Sequence, residues 1–240
     1  MPKEWFKDWF DTAYYHLLYD ERDEHEARHF MGHLTDFLSL KRGDSILDLP
    51  CGKGRHSVYL NSLGYAVTGA DISENSLQHA RKFENSKLRF IRQDMRHELA
   101  DTYDAIFNLF TSFGYFEDDQ SNIEVLKHFK KGLGEKGILV IDFLNADYTR
   151  KTMVPNEVIL KGGIEFHIEK RINRQFIEKH IRFSGDGQSH HYVERLRNLS
   201  LKDFKNYFDE AGLKISHIFG EYNLSDYEPH TSSRLILVAQ

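Results

Sequence analysis

The chain has 240 residues, 40% of them hydrophobic and 13% aromatic, a composition too apolar and aromatic for a disordered polymer and sized for one elaborated domain. Lys and Arg number 32 against 37 Asp and Glu, and a net charge of −5 argues against a whole-surface nucleic-acid binder. The single cysteine, Cys51, excludes an internal disulfide and a Cys-rich zinc site. The opening stretch, MPKEWFKDWFDTAYY, is charged and aromatic and does not read as a signal peptide. No apolar run approaches the ~20 residues of a membrane span. A cytoplasmic setting without membrane or metal is the expectation.

The first 40 residues read as two amphipathic helices. Trp5, Phe6, Trp9, Phe10, Ala13, Tyr14 and Leu17 follow one helical stripe, and Ala27, Phe30, Met31, Leu34, Phe37 and Leu38 another. The segment carries 4 basic and 9 acidic residues, so its outer face is acidic. After Gly43 the texture changes. Ser45–Leu49 is a short apolar strand, and Gly54–Leu63 is helix-like and stops at Gly64. Tyr65–Asp71 is a second strand, and Ser73 caps a helix running to about Phe83. Leu88–Ile91 and Tyr103–Phe110 are the third and fourth strands. Ile123, Leu126, Phe129 and Leu133 mark a helix before the apolar fifth strand, Gly137–Phe143. Strands apolar on both faces, alternating with helices, specify a parallel sheet covered on both sides.

From about 155 to 200 the period becomes two. Ile164, Phe166, Ile168 and Ile172 alternate with charged residues; Asn173-Arg174 makes a tight connection, and Asp186-Gly187 is a hairpin turn before His190–Leu199. This is an antiparallel meander inserted into the α/β pattern. Residues 151–200 hold 9 basic and 6 acidic side chains, leaving −8 on the remainder. Leu201, Phe204, Tyr207, Phe208 and Ala211 form a helix ending at Gly212; Lys214–Tyr222 and Leu235–Val238 are the sixth and seventh strands. The boundaries expected are a helical cap at 1–42, a nucleotide-binding core at 43–150, the β insertion at 151–200 and a completion of the core at 201–240.

The most informative stretch is Ile46 to His56, a strand, a Gly-x-Gly turn at Gly52 and Gly54, and a helix start. Such a turn brings backbone close to a ligand. Asp71 closes the second strand, where an acidic side chain accepts from ribose hydroxyls. Asp94-Met95 follows the third strand and Asn108-Leu109-Phe110 ends the fourth. All lie at carboxyl ends of strands, where open α/β sheets bind ligands. A P-loop would need G-x-x-x-x-G-K-[ST], which is absent. A nicotinamide site prefers G-x-G-x-x-G, and position 57 is Ser. S-adenosylmethionine has no pyrophosphate and needs no third glycine, and Asp48 offers a carboxylate to its ammonium.

Asp48-Leu49-Pro50-Cys51-Gly52-Lys53-Gly54 resembles the first motif of class I S-adenosylmethionine-dependent methyltransferases. Asp71, Gln93-Asp94-Met95 and Tyr103–Asn108 resemble that family's later motifs, in order and at matching spacing. The resemblance covers about 40 to 240. It implies a doubly wound, Rossmann-like seven-strand sheet whose last strand is antiparallel and lies beside the fifth, with a short hairpin joining strands six and seven. It implies S-adenosylmethionine as cofactor, S-adenosylhomocysteine as product, and methyl transfer to nitrogen or oxygen of a small-molecule acceptor. Asp48, Gly52 and Gly54 then line the methionine moiety, Asp71 holds the ribose, and Ile72 packs on the adenine. Asp94 and Met95 read the adenine edge, and the carbonyls of Asn108 and Leu109 flank the ammonium. In the cap, Tyr14, Tyr15 and Arg22 are candidates for the cofactor carboxylate.

The acceptor pocket is expected beyond the fourth strand, with Phe113, Tyr115 and Phe116 as its aromatic residues. Asn108-Leu109-Phe110-Thr111 departs from the Asn/Asp-Pro-Pro-Tyr/Phe motif of enzymes acting on nucleobase amino groups. No catalytic base is specified; Tyr115 and His167 are the candidates. Cys51 reads as a buried filler rather than a nucleophile, and His190-His191 lacks a third metal ligand. The meander resembles the insertion of amino-sugar N,N-dimethyltransferases, a lid or a homodimer surface. The competing readings are an NAD(P)-dependent oxidoreductase, a catalytically silent S-adenosylmethionine-binding module and an RNA methyltransferase.

Overall fold

A computed structural model describes residues 4–19 and 24–240. Its frame is a seven-strand sheet formed by β1 (Ser45–Asp48), β2 (Ala66–Asp71), β3 (Leu88–Arg92), β4 (Tyr103–Asn108), β5 (Leu133–Leu144), β10 (Ile215–Phe219) and β11 (Arg234–Ala239). The order across the sheet is β10-β11-β5-β4-β1-β2-β3. β1 pairs in parallel with both β2 and β4, whereas β11 runs antiparallel between β5 and β10. The strand order reverses between β1 and β4, so their carboxyl ends open a crevice there.

Alternate strand residues feed two separate cores. Ile46, Ala105, Phe107, Val140, Ile236 and Val238 pack on one side with α3 (Glu24–Phe37), α4 (Arg55–Ser62) and α5 (Glu74–Ala80). Leu47, Ile106, Leu139, Ile141, Leu235 and Leu237 pack on the other with α6 (Asp119–Lys131) and the helix Leu201–Glu210. That period-two split makes each strand apolar throughout. The helices start where the sequence offers caps: Ser73 accepts from Ser76 N–H, Asp118 from Ser121 N–H, and Ser200 with Asp203 forms a capping box.

The second sheet has four antiparallel strands in the order β6-β7-β8-β9, spanning Asn156–Lys161, Ile164–Ile172, Phe176–Gly185 and Gln188–Arg197. Its inner face, with Phe166, Ile168, Ile181 and Phe183, joins the core beneath α1 (Trp5–Phe10) and α2 (Ala13–Leu18).

Three expectations are corrected. Among the described residues the segment before β1 holds three helices, because Thr12 follows the end of α1 and its hydroxyl accepts from Tyr15 N–H to start α2. The meander gains a fourth strand, β6, whose burial alternates although Val158 and Leu160 stay exposed. The connection between β10 and β11 is a long excursion over residues 220–233. It is held by Gly220 N–H to Ser225 and Arg234 N–H to Gly220.

Candidate active site

The loop after β1 is stapled to neighbouring strand ends. Leu49 N–H donates to Phe107, and Cys51 N–H donates to Ala70. Gly52 and Gly54 both have positive φ, at 55° and 84°. They do different work. A side-chain carbon added at Gly52 meets nothing within 4 Å, and Gly52 lines a cavity of about 350 Å³. One added at Gly54 sits 2.7 Å from the Phe90 ring. Gly54 therefore serves close helix–sheet packing and is no part of the cavity wall.

Asp71 is 7% exposed at the end of β2, lining the cavity. One carboxylate oxygen accepts Gly52 N–H at 2.7 Å and the other Ser73 N–H at 2.8 Å. Burial raises its pKa against the pull of these donors. The backbone thus fixes the carboxylate while each oxygen keeps a lone pair for a ligand hydroxyl. Ile72, Asp94 and Met95 continue the wall. Burial alone would raise the Asp94 carboxyl, but hydrogen bonds from Arg96 outweigh it and hold it low. Arg96 Nε lies 3.0 Å from one Asp94 oxygen, its terminal nitrogen 2.5 Å from the other, and the same guanidinium reaches Glu4 of the cap at 2.7 Å.

Asp48 is 1% exposed and lies behind the wall, accepting from Ser57 Oγ at 2.6 Å. Burial pushes its carboxyl up to about 7. Asp48 is not among the residues that line the cavity. Asn108 is also behind the wall; its Nδ2 donates to the Leu49 carbonyl at 2.8 Å, while its buried Oδ1 has no partner. Leu109 does line the cavity.

Much of the remaining lining is aromatic. Phe6, Phe10, Tyr15 and Tyr19 come from the cap, and Phe110, Tyr115 and Phe116 from the segment after β4. Phe10 meets Tyr15 at 4.9 Å and Tyr115 at 5.5 Å. Tyr115 Oη donates to the Thr111 carbonyl at 2.8 Å. Phe113 is fully buried against Phe204 and stays in the core, so it leaves the pocket set.

Tyr14 turns the other way, with its hydroxyl on Asp186 of the β8–β9 turn and its ring on Phe183. Tyr15 alone of the two tyrosines lines the cavity. Arg22 lies outside the described residues. His167 is on the outer face of the insertion, its side chain 60% exposed beside Glu165, away from the cavity. The alternation that marked Phe166 as inward forces His167 outward.

Sequence reasoning missed several lining groups. His56 stacks on Phe110 at 4.5 Å and 17°, and His16, Lys53 and Arg55 also line the cavity. An imidazole in the first turn of the helix after a Gly-x-Gly loop was the available signal. Cys51 lines the cavity as well, and burial with nearby Asp48 and Asp71 raises its thiol, which suits a filler. Among the described residues no group of three or more metal-ligating side chains occurs.

A methyltransferase-domain family model matches residues 24–218. The chain belongs to this S-adenosylmethionine-dependent methyltransferase family. That membership displaces the nicotinamide reading. A glycine/sarcosine N-methyltransferase of Halorhodospira halochloris is 33% identical over 54% of this chain and 49% of its own. A dTDP-3-amino-3,4,6-trideoxy-alpha-D-glucopyranose N,N-dimethyltransferase of Streptomyces venezuelae is 23% identical over 73% of this chain and 78% of its own. The chain spans about half the length of the curated relatives it matches at 33% to 35% identity. An S-adenosylmethionine-dependent methyltransferase from Clostridium acetobutylicum shares the fold, with a TM-score of 0.79, 18% identity and 95% of each chain covered.

Proposed function

We propose that this chain methylates nitrogen on a small-molecule amine, using S-adenosylmethionine bound across the carboxyl ends of β1, β2 and β3. The observation that carries it is the cavity itself, whose lining combines a backbone-held carboxylate, an open glycine and seven aromatic rings. Bound S-adenosylmethionine supplies a methyl group activated by its sulfonium, which an acceptor lone pair displaces in line with the C–S bond. Asp71 would hold the ribose hydroxyls and Ile72 and Met95 would pack the adenine. The open face at Gly52 leaves room for the methionine chain. Aromatic faces favour a cation, and a methylated ammonium is cationic where an ether is not. This supports nitrogen over oxygen, as do the amine-methylating relatives.

The cap excludes water and orients the reactants. Asp11 accepts from Ser73 Oγ at 2.5 Å and from Asn75 Nδ2 at 2.9 Å, tying α1 to the start of α5. Orientation of this kind supplies up to ~7–11 kcal/mol of barrier lowering in favourable cases. His16, His56 and Tyr115 are among the wall groups able to handle a proton. A second copy docking on the insertion, where Val158 and Leu160 are 59% and 66% exposed, is the partner proposal. Light scattering checks it, with a monomer at all concentrations as the contrary result. No helix among the described residues is long and apolar enough to cross a membrane. A cytoplasmic setting is part of the proposal.

Calorimetry with S-adenosylmethionine, S-adenosylhomocysteine, NAD and NADP tests the cofactor assignment. Transfer of labelled methyl to a panel of amino acids, amino-sugar nucleotides and matched hydroxyl compounds then tests the acceptor. Binding without transfer to any amine would favour the silent binding module. Label on the hydroxyl series alone would overturn nitrogen as the acceptor.

A further inference from the structure

Phe110 and Thr111 both adopt left-handed backbone, with φ of 58° and 60°. Neither is glycine, and side-chain sterics oppose that conformation at both. Something must hold the turn. Asp142, fully buried near the end of β5, takes the Phe110 N–H at 2.7 Å on one carboxylate oxygen. The same oxygen accepts from Tyr222 Oη at 3.3 Å. The other oxygen accepts Arg234 Nε at 2.8 Å. Arg234 in turn donates to Thr111 Oγ1 at 2.9 Å, and Thr111 N–H donates to the Asp142 carbonyl at 2.9 Å. Arg234 opens β11, the strand lying antiparallel against β5. Both residues of the turn are therefore fastened by one ion pair spanning two adjacent strands.

The consequence is where the Phe110 ring goes. It lines the cavity and lies flat on His56, which also lines it. Asp142 and Arg234 do not line the cavity. We infer that the Asp142–Arg234 pair is a positioning device for the reaction site, setting the Phe110 ring on His56. The inference rests on reading this cavity as the place of methyl transfer. The pair acts through Phe110 and not on a ligand.

Ring stacking has a direct signature. The proton resonances of an imidazole lying on a phenyl face move upfield. His56 is assigned by its loss in His56→Gln, and Phe110→Leu gives its unstacked position. His190, stacked on Phe183 at 4.9 Å and 20°, is an internal control in the other sheet. In Asp142→Asn and Arg234→Lys, the His56 resonance is expected to move to its unstacked position while His190 stays in place. S-adenosylmethionine binding, measured separately by calorimetry, is expected to weaken about tenfold in both. A His56 resonance that stays stacked in the folded variants overturns the positioning role. Loss of the His190 signature in both variants also overturns it, since the pair would then be holding the whole fold. The resonance readout needs no ligand. Failure of S-adenosylmethionine to bind wild-type protein would thus count against the proposed function and leave the ring placement to be judged alone.

Discussion

At the strand end of the cavity Asp71 is held by two backbone N–H groups, those of Gly52 and Ser73, 19 and 2 positions away in the chain. At the cap end, Trp9 Nε1 and Tyr19 Oη both donate to Glu194, at 2.7 Å each, and Lys179 Nζ donates to Tyr19 Oη at 2.6 Å. Those partners lie 185, 175 and 160 positions apart in the chain. The strand end inherits its geometry from the sheet's hydrogen-bond register, so it cannot loosen unless the sheet does. The cap end is fastened through contacts that each involve a side chain, so a substitution can loosen it while the sheet stays whole. Substitutions at the two ends should therefore separate folding from binding in different ways.

The largest expected effect is at the strand end, within one loop. Gly54→Ala combines a left-handed backbone with a close approach to Phe90, and should cost about 2–4 kcal/mol of stability. For a chain of this length that is a Tm drop on the order of 5–15 °C. Gly52→Ala meets open space and bears only the backbone cost, about 1–2 kcal/mol, while its methyl group enters the cavity. Thermal melts and calorimetry with S-adenosylmethionine should show Gly54→Ala as the stability variant and Gly52→Ala as the binding variant. Equal Tm losses would contradict the division of labour between the two glycines.

Asp48 gives a pH signature of the same buried end. Its folded carboxyl titrates at about 7 because of burial, whereas an unfolded Asp titrates at about 4. The folded state therefore binds the proton more tightly. Stability contributed by that proton is complete below about pH 4, and is lost as pH rises through about 7. Asp48→Asn, which keeps an acceptor for Ser57 Oγ, removes the loss. Its Tm relative to wild type should rise between about pH 4.5 and about pH 8 in the absence of ligand. A difference independent of pH would show that burial does not govern this carboxyl.

What could be read in advance follows the same division. The strand-end residues announce themselves because a tight turn needs glycine and a strand end needs its carboxylate at a fixed spacing. Asp71, Gly52 and Asp94 line the cavity and were legible for that reason, whereas Ile72 and Met95 came only with the family resemblance. Gly54 was legible as a glycine but not as a packing residue, since nothing local reveals that Phe90 stands over it. Asp48 and Asn108 were correctly placed at strand ends, yet one pleat decides whether such a side chain meets the ligand or the core. At the cap end the stripe of Trp5, Phe6, Trp9 and Phe10 shows a helix face but not what it covers. Trp9 stacks on Tyr192 at 4.4 Å, a pairing no local pattern contains. The Asp142–Arg234 pair is hidden in the same way, because β11 meets β5 only after the chain has passed through the entire insertion.

Glu194→Gln tests the cap end. It keeps the shape but weakens the hold on Trp9 and Tyr19, costing about 1–2 kcal/mol of cap docking. Hydrogen exchange should quicken in α1, α2 and β9, with β1, β2 and β4 as protected as in wild type. Affinity for S-adenosylmethionine should fall about threefold to tenfold, since Tyr15 and Tyr19 line the cavity. Faster exchange spreading through the central strands would show that the cap is integral to the sheet.

The smallest effect separates two adjacent tyrosines. Tyr14→Phe removes a hydroxyl bound to Asp186, whose hydrogen bond raises the Tyr14 pKa. That contact sits at the hairpin turn, away from the cavity, so cofactor affinity should be unchanged and Tm should move by no more than about 1–2 °C. Tyr15→Phe removes the hydroxyl of a residue that lines the cavity, and affinity should fall about threefold to tenfold with Tm nearly constant. Neighbouring positions on one helix are about 100° apart, so only one of the two can face the cavity. Loss of affinity in Tyr14→Phe with none in Tyr15→Phe would mean that α2 is rotated by one position when ligand binds, and the cap would then have to be redrawn around Tyr14.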